Sequence, residues 1–270
     1  QSILPGLIDG KLKLAFAYLE PASRYDLTGA KTTAKAAGEG WVLDGEKSVV
    51  IGAPSAGKLI VSARTAGKAG DATGLSLFVV DAKAAGVSQS ASRTVDGQRA
   101  ADLRFTGVKL GADALLGPKD GALPLIEEAI DFATALLCAD AIGCMKNAND
   151  ATLEYLKTRK QFGQAIGSFQ ALQHRMVDMY IVCEQARSMA ILAATKVDAG
   201  GDANERKRAV SSAKVKIADA ARQVSQESVQ LHGGMGMTEE LKVSHTFRRL
   251  TMIAQRFGDA DHHLERLAAG

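Results

Sequence analysis

Two kinds of hydrophobic pattern follow one another along the chain of 270 residues. As far as residue 117, short apolar runs alternate with turns rich in glycine, proline and aspartate, which is typical of β-strands. From Gly121 onward, alanine-rich segments carry apolar residues at helical spacing. The pattern predicts an α+β protein, with a sandwich-like or barrel-like β-domain over residues 1–117 and an antiparallel four-helix bundle over residues 118–270.

The same periodicity places the individual elements. Strands are predicted over residues 14–19, 41–43, 46–50, 59–62, 75–80, 103–105 and 108–110. Helices are predicted over residues 122–157, 170–199, 203–230, 239–255 and 259–268, with Thr238 as the N-cap of the fourth. In the second helix, one face carries Met176, Met179, Tyr180 and Cys183, which predicts a stripe of bundle core.

Composition and charge are those of an ordinary globular protein. Hydrophobic residues make up 46% of the chain, and the net charge of +3 gives no reason to expect binding to nucleic acid or to a membrane surface. No apolar run reaches the roughly 18 residues that span a bilayer, and the first residues lack the pattern of a signal peptide. The three cysteines show no pairing pattern, which predicts reduced thiols in a cytoplasmic protein.

A glycine-rich turn separates the third and fourth predicted helices. It reads Gln230-Leu-His232-Gly233-Gly234-Met-Gly236. Glycine permits close approach to backbone N–H groups, and a helix start beside such a turn suits a phosphate. Spacing alone favours the simpler interpretation, a plain interhelical turn with a packed or backbone-bonded His232.

Four further segments accompany this turn. They are residues 17–21 with Asp26, residues 43–47, residues 159–163 and residues 167–170. Together with the glycine turn they resemble the acyl-CoA dehydrogenase family over essentially the whole chain. Residues 23–27 and 257–263 are most similar to the small-subunit type of pimeloyl-CoA dehydrogenase. The resemblance implies that a further helical domain precedes residue 1.

The resemblance also implies a reaction. In this family a carboxylate removes the α-proton of an acyl-CoA thioester, the β-hydrogen leaves as hydride to FAD, and electron-transfer flavoprotein is the usual acceptor. The chain is therefore expected to be an FAD-dependent acyl-CoA dehydrogenase of fatty acid metabolism, in a homo- or hetero-oligomer (a dimer or tetramer). The alternative is a non-catalytic subunit of a heteromeric dehydrogenase, which would complete the FAD site of a partner.

The position of the catalytic base departs from the family pattern. Most members carry glutamate at the position of Phe257 and others carry it at the position of Ala133, and neither residue here can accept a proton. Asp259, shortly after Phe257, is the candidate base. Its other interpretation is the N-cap of the last helix, because an aspartate before an apolar helix suits a cap.

The resemblance divides the flavin contacts between the two domains. For the ring it implies backbone groups and hydroxyls of three segments: Tyr18 with Leu19, Tyr25, and Val50 with Ile51. Val49 and Ile51 replace the Trp and Thr of the usual pattern. For the pyrophosphate and adenosine of a neighbouring subunit's FAD it implies Arg159, Phe162, Gln170, Gln230, Gly233 and Gly234. By itself, Arg159 also fits a helix-end arginine beside the last carbonyls.

Two further positions concern the substrate and a metal. Asp131 matches a family aspartate that lies near the acyl-CoA, although the arginine that follows it in the family is Thr134 here. The adjacent His262 and His263 have no third ligand at metal spacing. We therefore expect Asp131 in substrate binding, a solvated or partner-facing histidine pair, and no metal site.

Overall fold

The computed structural model describes residues 3–269, and the chain divides into two units, residues 1–127 and residues 128–270. The strands of the main sheet lie in the first unit, and the long helices lie in the second. This order confirms the predicted fold class. The boundary predicted after residue 117 stays a prediction, because the first long helix runs across the observed division.

The first unit is built on one mixed sheet. Its elements are a short helix α1 (Leu4–Ile8) and the strands β1 (Leu14–Ala17), β2 (Thr33–Ala37), β3 (Gly40–Ile51), β4 (Lys58–Arg64), β5 (Leu75–Asp81), β6 (Val87–Arg93), β7 (Arg99–Leu110) and β8 (Leu115–Leu116). The eight-stranded sheet has the order β6-β7-β3-β2-β4-β5-β8, with β1 beside β4. Strands β1 and β2 run parallel to β4, and the other pairs are antiparallel.

The core of this unit follows from alternating apolar residues on its central strands. Leu59 and Val61 on β4 are fully buried, as are Phe78 and Val80 on β5. They pack with Leu103 of β7 in one hydrophobic cluster. Burial of such side chains contributes about 1.5–3 kcal/mol each to folding, which fixes the register of these strands.

The strand predictions differ from the structure in two ways. Residues 41–43 and 46–50 belong to one long strand, β3, whose pairing with β7 shifts register between Leu43 and Gly45 and again between Lys47 and Val50. Residues 103–105 and 108–110 likewise belong to one long strand, β7, and the two-residue strand β8 was not expected. Strands β2 and β6 were not expected from the sequence either. Alanine, lysine and serine dominate them and have weak strand preference, so pairing with β3 and β7 decides their conformation.

The second unit consists of long helices and one short hairpin. Its elements are α2 (Leu123–Thr158), the hairpin of β9 (Lys160–Gln161) and β10 (Gln164–Ala165), α3 (Gln170–Asp198), α4 (Ala203–Leu231), a 3₁₀ segment (Gly233–Met237), α5 (Lys242–Gln255) and α6 (Ala260–Ala268). Residues 199–202 alone join α3 to α4, so these helices are antiparallel neighbours. The helix predictions are confirmed to within a few residues at each end.

The bundle core is rich in alanine, which lets the helices approach closely. Its buried members on α3 include Met179 and Cys183, as the stripe predicts, and Met176 packs against it partly buried. The prediction that Tyr180 belongs to this core is wrong, because Tyr180 is 61% exposed. Thr238 does not cap α5 either: Leu241 is the N-cap residue, and the Thr238 hydroxyl donates to the carbonyl of Met235.

No helix within residues 3–269 has the length and apolar character needed to cross a membrane.

Candidate functional site

One end of the helical unit is tied together by contacts between α2 and α4. The Tyr155 ring, on the last turn of α2, stacks on His232 with centroids 4.4 Å apart. Below it, the hydroxyls of Thr152 and Ser228 are 2.7 Å apart. His232 is buried and its Nδ1 lies 2.8 Å from the Ser228 carbonyl, which confirms the prediction of a backbone-bonded histidine. The end of α2 and the glycine turn after α4 therefore lie side by side.

The hairpin after α2 presents an aromatic ring at this end. The Ile166 amide donates to the Arg159 carbonyl at 2.9 Å, which folds the hairpin back on α2. Phe162 and Gly163 form its turn with φ of 55° and 80°, and the Phe162 ring is 89% exposed, in edge contact with Phe169 at 6.0 Å. Asparagine or glycine normally fills such a position, because a large side chain is strained there. Local folding does not account for an exposed phenylalanine at this point.

Three polar side chains, at the end of α2, the start of α3 and the end of α4, are exposed. The Arg159 side chain is exposed, and no other described residue forms a hydrogen bond or ion pair with it. Gln170 is exposed at the first residue of α3, where Phe169 supplies no side-chain cap for the helix N–H groups. Gln230 is exposed near the end of α4.

The glycines of the turn divide into two kinds. At Gly236, an added Cβ would lie 2.4 Å from the Val229 carbonyl oxygen, so packing within the chain requires glycine. At Gly233 and Gly234, an added Cβ would meet no atom of this chain within 4 Å. Gly233 has a φ of 59°, but Gly234 has no such constraint. Its lack of a side chain leaves the backbone accessible to a molecule from outside.

The structure thus brings together six of the predicted site residues at one end of the helical unit. A cation that can pair with a phosphate, an exposed aromatic ring and an uncovered glycine backbone suit a diphosphate joined to an aromatic base. This donor set fits the adenosine diphosphate part of FAD. The six residues are Arg159, Phe162, Gln170, Gln230, Gly233 and Gly234.

The residues expected near a flavin ring lie in the first unit, where β1 ends beside β3. The Ser48 amide donates to the Leu19 carbonyl at 2.9 Å, and the Lys47 ammonium lies 3.5 Å from the Tyr18 carbonyl. Tyr25 follows in the next loop, with the Arg24 guanidinium 5.6 Å from its ring centroid. These carbonyls already accept bonds within the chain, so any flavin contact there uses their second lone pair or the amides.

On β3, the side chain of Val50 is buried, whereas Ile51 is half-buried and pairs with Ala100. Val49, which precedes them, has a φ of 48°, which is an outlier for a β-branched residue. Its amide donates to Asp102 Oδ1 at 2.8 Å. Asp102 therefore stabilises a bulge in β3 beside the expected ring site, and the sequence pattern did not indicate this residue.

A buried ion pair underlies the same region. Lys47 Nζ lies 2.7 Å from Glu20 Oε1 and 3.0 Å from the Ser62 hydroxyl, while the amides of Lys31 and Thr32 donate to the Glu20 carboxylate at 2.7 and 3.0 Å. Burial raises the pKa of Glu20, but the Lys47 charge and these bonds outweigh it and hold the pKa below its ordinary value. Burial lowers the pKa of Lys47. The pair fixes the segment after β1 against β3.

Asp259 occupies the N-cap of α6. Its Oδ1 accepts a hydrogen bond from the His262 amide at 2.9 Å, so the cap interpretation is confirmed. A catalytic role for Asp259 stays a prediction. Phe257, at the position where the resembled family carries its base, has a φ of 61° and packs partly against the bundle core.

Asp131 is fully buried between two arginines. Its Oδ2 accepts from Arg206 Nε at 3.1 Å and its Oδ1 accepts from Arg266 Nη1 at 2.7 Å. This arrangement favours a structural role that joins α2, α4 and α6. The expected contact with substrate stays a prediction.

The histidine pair differs from its prediction. His263 is buried rather than solvated, because α6 turns it towards α4 and the segment after α5. Among the described residues, no group of three His, Cys, Asp or Glu side chains is placed to hold a metal ion. Lys214 was missed altogether: it is fully buried, and burial lowers its pKa to about 8. The sequence signal that could have indicated this buried lysine is its core position between Ala213 and Ile217.

Comparison with known proteins matches each of the two units to a domain model of one family. Residues 122–270 match the family model "Acyl-CoA dehydrogenase, C-terminal domain", and residues 15–108 match "Acyl-CoA dehydrogenase, middle domain". A curated relative, the caffeyl-CoA reductase-Etf complex subunit CarC of Acetobacterium woodii, is 32% identical over 92% of this chain and 65% of its own length. The chain spans about two thirds of the length of the curated relatives it matches.

Two solved structures share the fold. The acyl-CoA dehydrogenase of Geobacillus kaustophilus has a TM-score of 0.94 and 27% identity, over 100% of this chain and 71% of its own. The FAD complex of PigA has a TM-score of 0.92 and 27% identity, over 99% of this chain and 70% of its own.

Proposed function

Because the chain belongs to the acyl-CoA dehydrogenase family, we propose that it takes part in the FAD-dependent α,β-dehydrogenation of an acyl-CoA thioester. The observation that carries the proposal is the end of the helical unit, where Arg159, Phe162 and the Gly233–Gly234 backbone are all exposed. Packing within the chain requires neither Phe162 nor Gly234 at its position, and no other described residue pairs with the Arg159 side chain. FAD, when bound, supplies the hydride acceptor for the β-carbon.

Each residue at this end has a distinct part in holding the adenosine diphosphate part of a neighbouring subunit's FAD. Arg159 would neutralise the diphosphate with paired N–H donors, and the exposed Gly233 and Gly234 backbone would offer it amide groups. Phe162 offers an exposed ring to the adenine. Gln170 and Gln230 supply amide groups that fix the orientation of the adenosine.

The ring of the FAD that this chain itself binds is assigned to the first unit. Backbone groups of Tyr18, Leu19, Val50 and Ile51 would hold the ring, and the hydroxyls of Tyr18 and Tyr25 would add to them. The bulge at Val49 and the buried Glu20–Lys47 pair support this assignment, because they keep the two segments in place.

The α-proton of the substrate needs a carboxylate. Asp259 is the nearest candidate to the family's base position, and its second carboxylate oxygen would have to take the proton, since Oδ1 accepts the cap bond. Asp131 is proposed on the acyl-CoA side only through its position on α2. The relative from Acetobacterium woodii is named as part of a complex with Etf, so an electron-transfer flavoprotein is the proposed partner.

One observation favours the second candidate, a non-catalytic subunit that completes the FAD site of a homologous partner. Phe257 stands at the base position and cannot accept a proton, while Asp259 is engaged as a helix cap. In that arrangement Arg159 and Phe162 would serve the partner's flavin. The resemblance to the small-subunit type of pimeloyl-CoA dehydrogenase is compatible with either candidate.

Flavin stoichiometry separates the two candidates. The complete protein is purified alone and after co-expression with the product of its neighbouring gene, and FAD per chain is measured after acid release. Flavin in the protein alone, bleached anaerobically by pimeloyl-CoA or butyryl-CoA, supports the dehydrogenase. Flavin only in the mixed complex supports the subunit. The proposal is wrong if neither preparation binds FAD.

A further inference from the structure

Buried side chains hold two consecutive carbonyls between α5 and α6. His263 Nε2 lies 3.1 Å from the carbonyl oxygen of Phe257. Lys214 Nζ donates to the carbonyl of Gly258 at 2.5 Å and to that of Ala254 at 3.0 Å. Both side chains are at most 1% exposed, so water cannot reach their polar atoms. Each hydrogen bond therefore satisfies a polar atom that would otherwise be buried without a partner.

The hydrogen bonds that reach Phe257 have only one consistent direction. A carbonyl oxygen can only accept, so His263 carries its proton on Nε2. Burial, followed by nearby positive charges, lowers the pKa of His263 to about 3, so the ring is neutral and Nδ1 is an acceptor. The Ser211 hydroxyl, 3.1 Å away, must then donate to Nδ1, and its oxygen accepts from Arg266 Nη1 at 3.3 Å.

This chain of bonds is anchored on α2. Arg266 also donates to Asp131, whose second oxygen accepts from Arg206. A guanidinium can only donate, so the order from Arg266 through Ser211 and His263 to the carbonyl cannot reverse. The fixed carboxylate on α2 therefore helps to keep the proton of His263 on Nε2, the nitrogen that faces the 257 carbonyl.

The backbone that receives these bonds is unusual. Phe257 has a φ of 61° and Gly258 a φ of 114°. A Cβ at Gly258 would lie 2.4 Å from the ring of His262 and 2.7 Å from that of His263, so only glycine fits. A left-handed conformation at a bulky residue is strained and needs support from its surroundings.

We propose that His263, Ser211 and Lys214 are positioning residues, which hold the backbone of residues 257–258 in one conformation at the place where this family carries its catalytic base. The local part of this inference depends only on the contacts above. Its consequence for chemistry rests on the proposed function. A carboxylate placed at 257 would then be presented to the acyl-CoA, and would lose that ability when His263 is removed.

The first experiment measures the apoprotein by NMR. Nitrogen shifts of the histidine rings should show His263 as the neutral Nε2–H form from about pH 5 to about pH 8. In His263→Leu, amide exchange of Arg256, His262 and residue 263 should become about tenfold faster or more, because their bonds flank the 257–258 segment. Ser211→Ala should give a smaller increase, and His263→Gln, which keeps a donor, should recover part of the protection.

Two comparisons separate local loosening from damage to the bundle. Ser212→Ala removes the neighbouring, half-buried hydroxyl from the same helix and should leave exchange unchanged. Amides in the middle of α4, such as that of Ala221, should stay protected in every variant. An Nδ1–H tautomer in the wild type, or unchanged exchange of Arg256 and His262 in His263→Leu, would overturn the proposal.

The second experiment tests the consequence for chemistry in the FAD-loaded protein. In Phe257→Glu, the introduced carboxylate takes the α-proton, the β C–H bond breaks with its electron pair passing as hydride to FAD, and the α and β carbons form a double bond. Acyl-CoA should bleach the flavin at least about tenfold faster than in wild type, and adding His263→Leu should remove the gain. If neither wild type nor Phe257→Glu bleaches although the NMR results hold, the proposed function is wrong and the positioning role stands. If wild type bleaches and Phe257→Glu gives no gain, residue 257 is not presented to the acyl-CoA and the consequence for chemistry is wrong.

Discussion

The side chain of Arg159 is exposed and has no partner within residues 3–269, so removing it disturbs little inside the chain. We expect Arg159→Ala to weaken FAD binding by about 1–3 kcal/mol, the scale of a lost charge-assisted hydrogen bond. Arg159→Lys should recover only part of this, because a point charge cannot make the paired contact. The loss should shrink as salt rises. Titration with FAD, alone and with the homologous partner, measures the effect.

A matched control keeps this result specific to the site. Arg208, exposed on α4, also has no partner among the described residues, and Arg208→Ala removes the same charge. It should leave flavin affinity unchanged. If Arg159→Ala behaves like Arg208→Ala in both preparations, Arg159 is only a helix-end charge and its assignment to the diphosphate is wrong.

The neutral, buried state of His263 should appear in the pH dependence of stability. Its pKa is lowered to about 3, first by burial and then by the charges of Lys214, His262 and Arg266. The unfolded chain binds a proton there near the ordinary pKa of about 6.5, while the folded chain does not. This contribution is therefore present above about pH 6.5 and lost as pH falls towards 3, with a limiting slope of about 1.4 kcal/mol per pH unit.

Urea unfolding at pH values between about 6.5 and 4.5 measures this slope. His263→Gln should flatten it, because glutamine does not titrate. The exposed His174 provides the control, since His174→Gln should keep the wild-type slope. A wild-type slope in His263→Gln would mean that carboxylates alone account for the acid sensitivity.

At the scale of elements, Phe162 in the hairpin of β9 and β10 is expected to lower the stability of the chain while it favours FAD binding. Phe162 and Gly163 both have positive φ, and asparagine suits the first of these positions better than phenylalanine does. Phe162→Asn should therefore raise the free energy of unfolding by a few tenths to about 1 kcal/mol and at the same time weaken FAD binding. Urea denaturation and flavin titration of the same variant check both halves. A variant that loses stability would show that the Phe162–Phe169 contact outweighs the strain.

The helices could be predicted well because their apolar periodicity is long and strong. Helix α4 was expected over residues 203–230 and spans Ala203–Leu231. Strand β6 could not be predicted, because six of its seven residues are exposed and its conformation comes from pairing with β7. Local patterns carry short-range information only, so elements that depend on a neighbouring strand escape them.

The candidate site divides in the same way. The residues of the glycine turn form one short sequence motif, and those of the hairpin form another. The structure brings the two motifs to one end of the bundle. The contacts around Phe257 come from α2, α4 and α6, which lie far apart in the sequence. The core position of Lys214 on an alanine-rich helix signals a buried lysine, but neither Lys214 nor Ser211 indicates which groups it meets. Only the packing of the helices reveals which side chains meet.

At the scale of the whole molecule, helix α3 exposes a band of large apolar side chains. Each is more than 40% exposed, and their spacing places them on one face of the helix, opposite the buried Met179 and Cys183: Val177, Tyr180, Ile181, Ile191 and Leu192. A helix that is apolar on two faces needs a second partner surface. We therefore expect the chain to be part of a dimer or tetramer, formed with a copy of itself or with a homologous chain.

Light scattering coupled to gel filtration measures this assembly at micromolar concentration. Ile181→Lys places a charge in the exposed band, and we expect it to lower the apparent mass by at least a factor of about two, because an unpaired charge buried in an interface costs several kcal/mol. Gln226→Lys adds the same charge at an exposed polar position on α4 and should leave the mass unchanged. A wild-type protein that stays monomeric, both alone and with the homologous chain, would contradict the prediction. An unchanged mass in Ile181→Lys would place the interface on another face of the bundle.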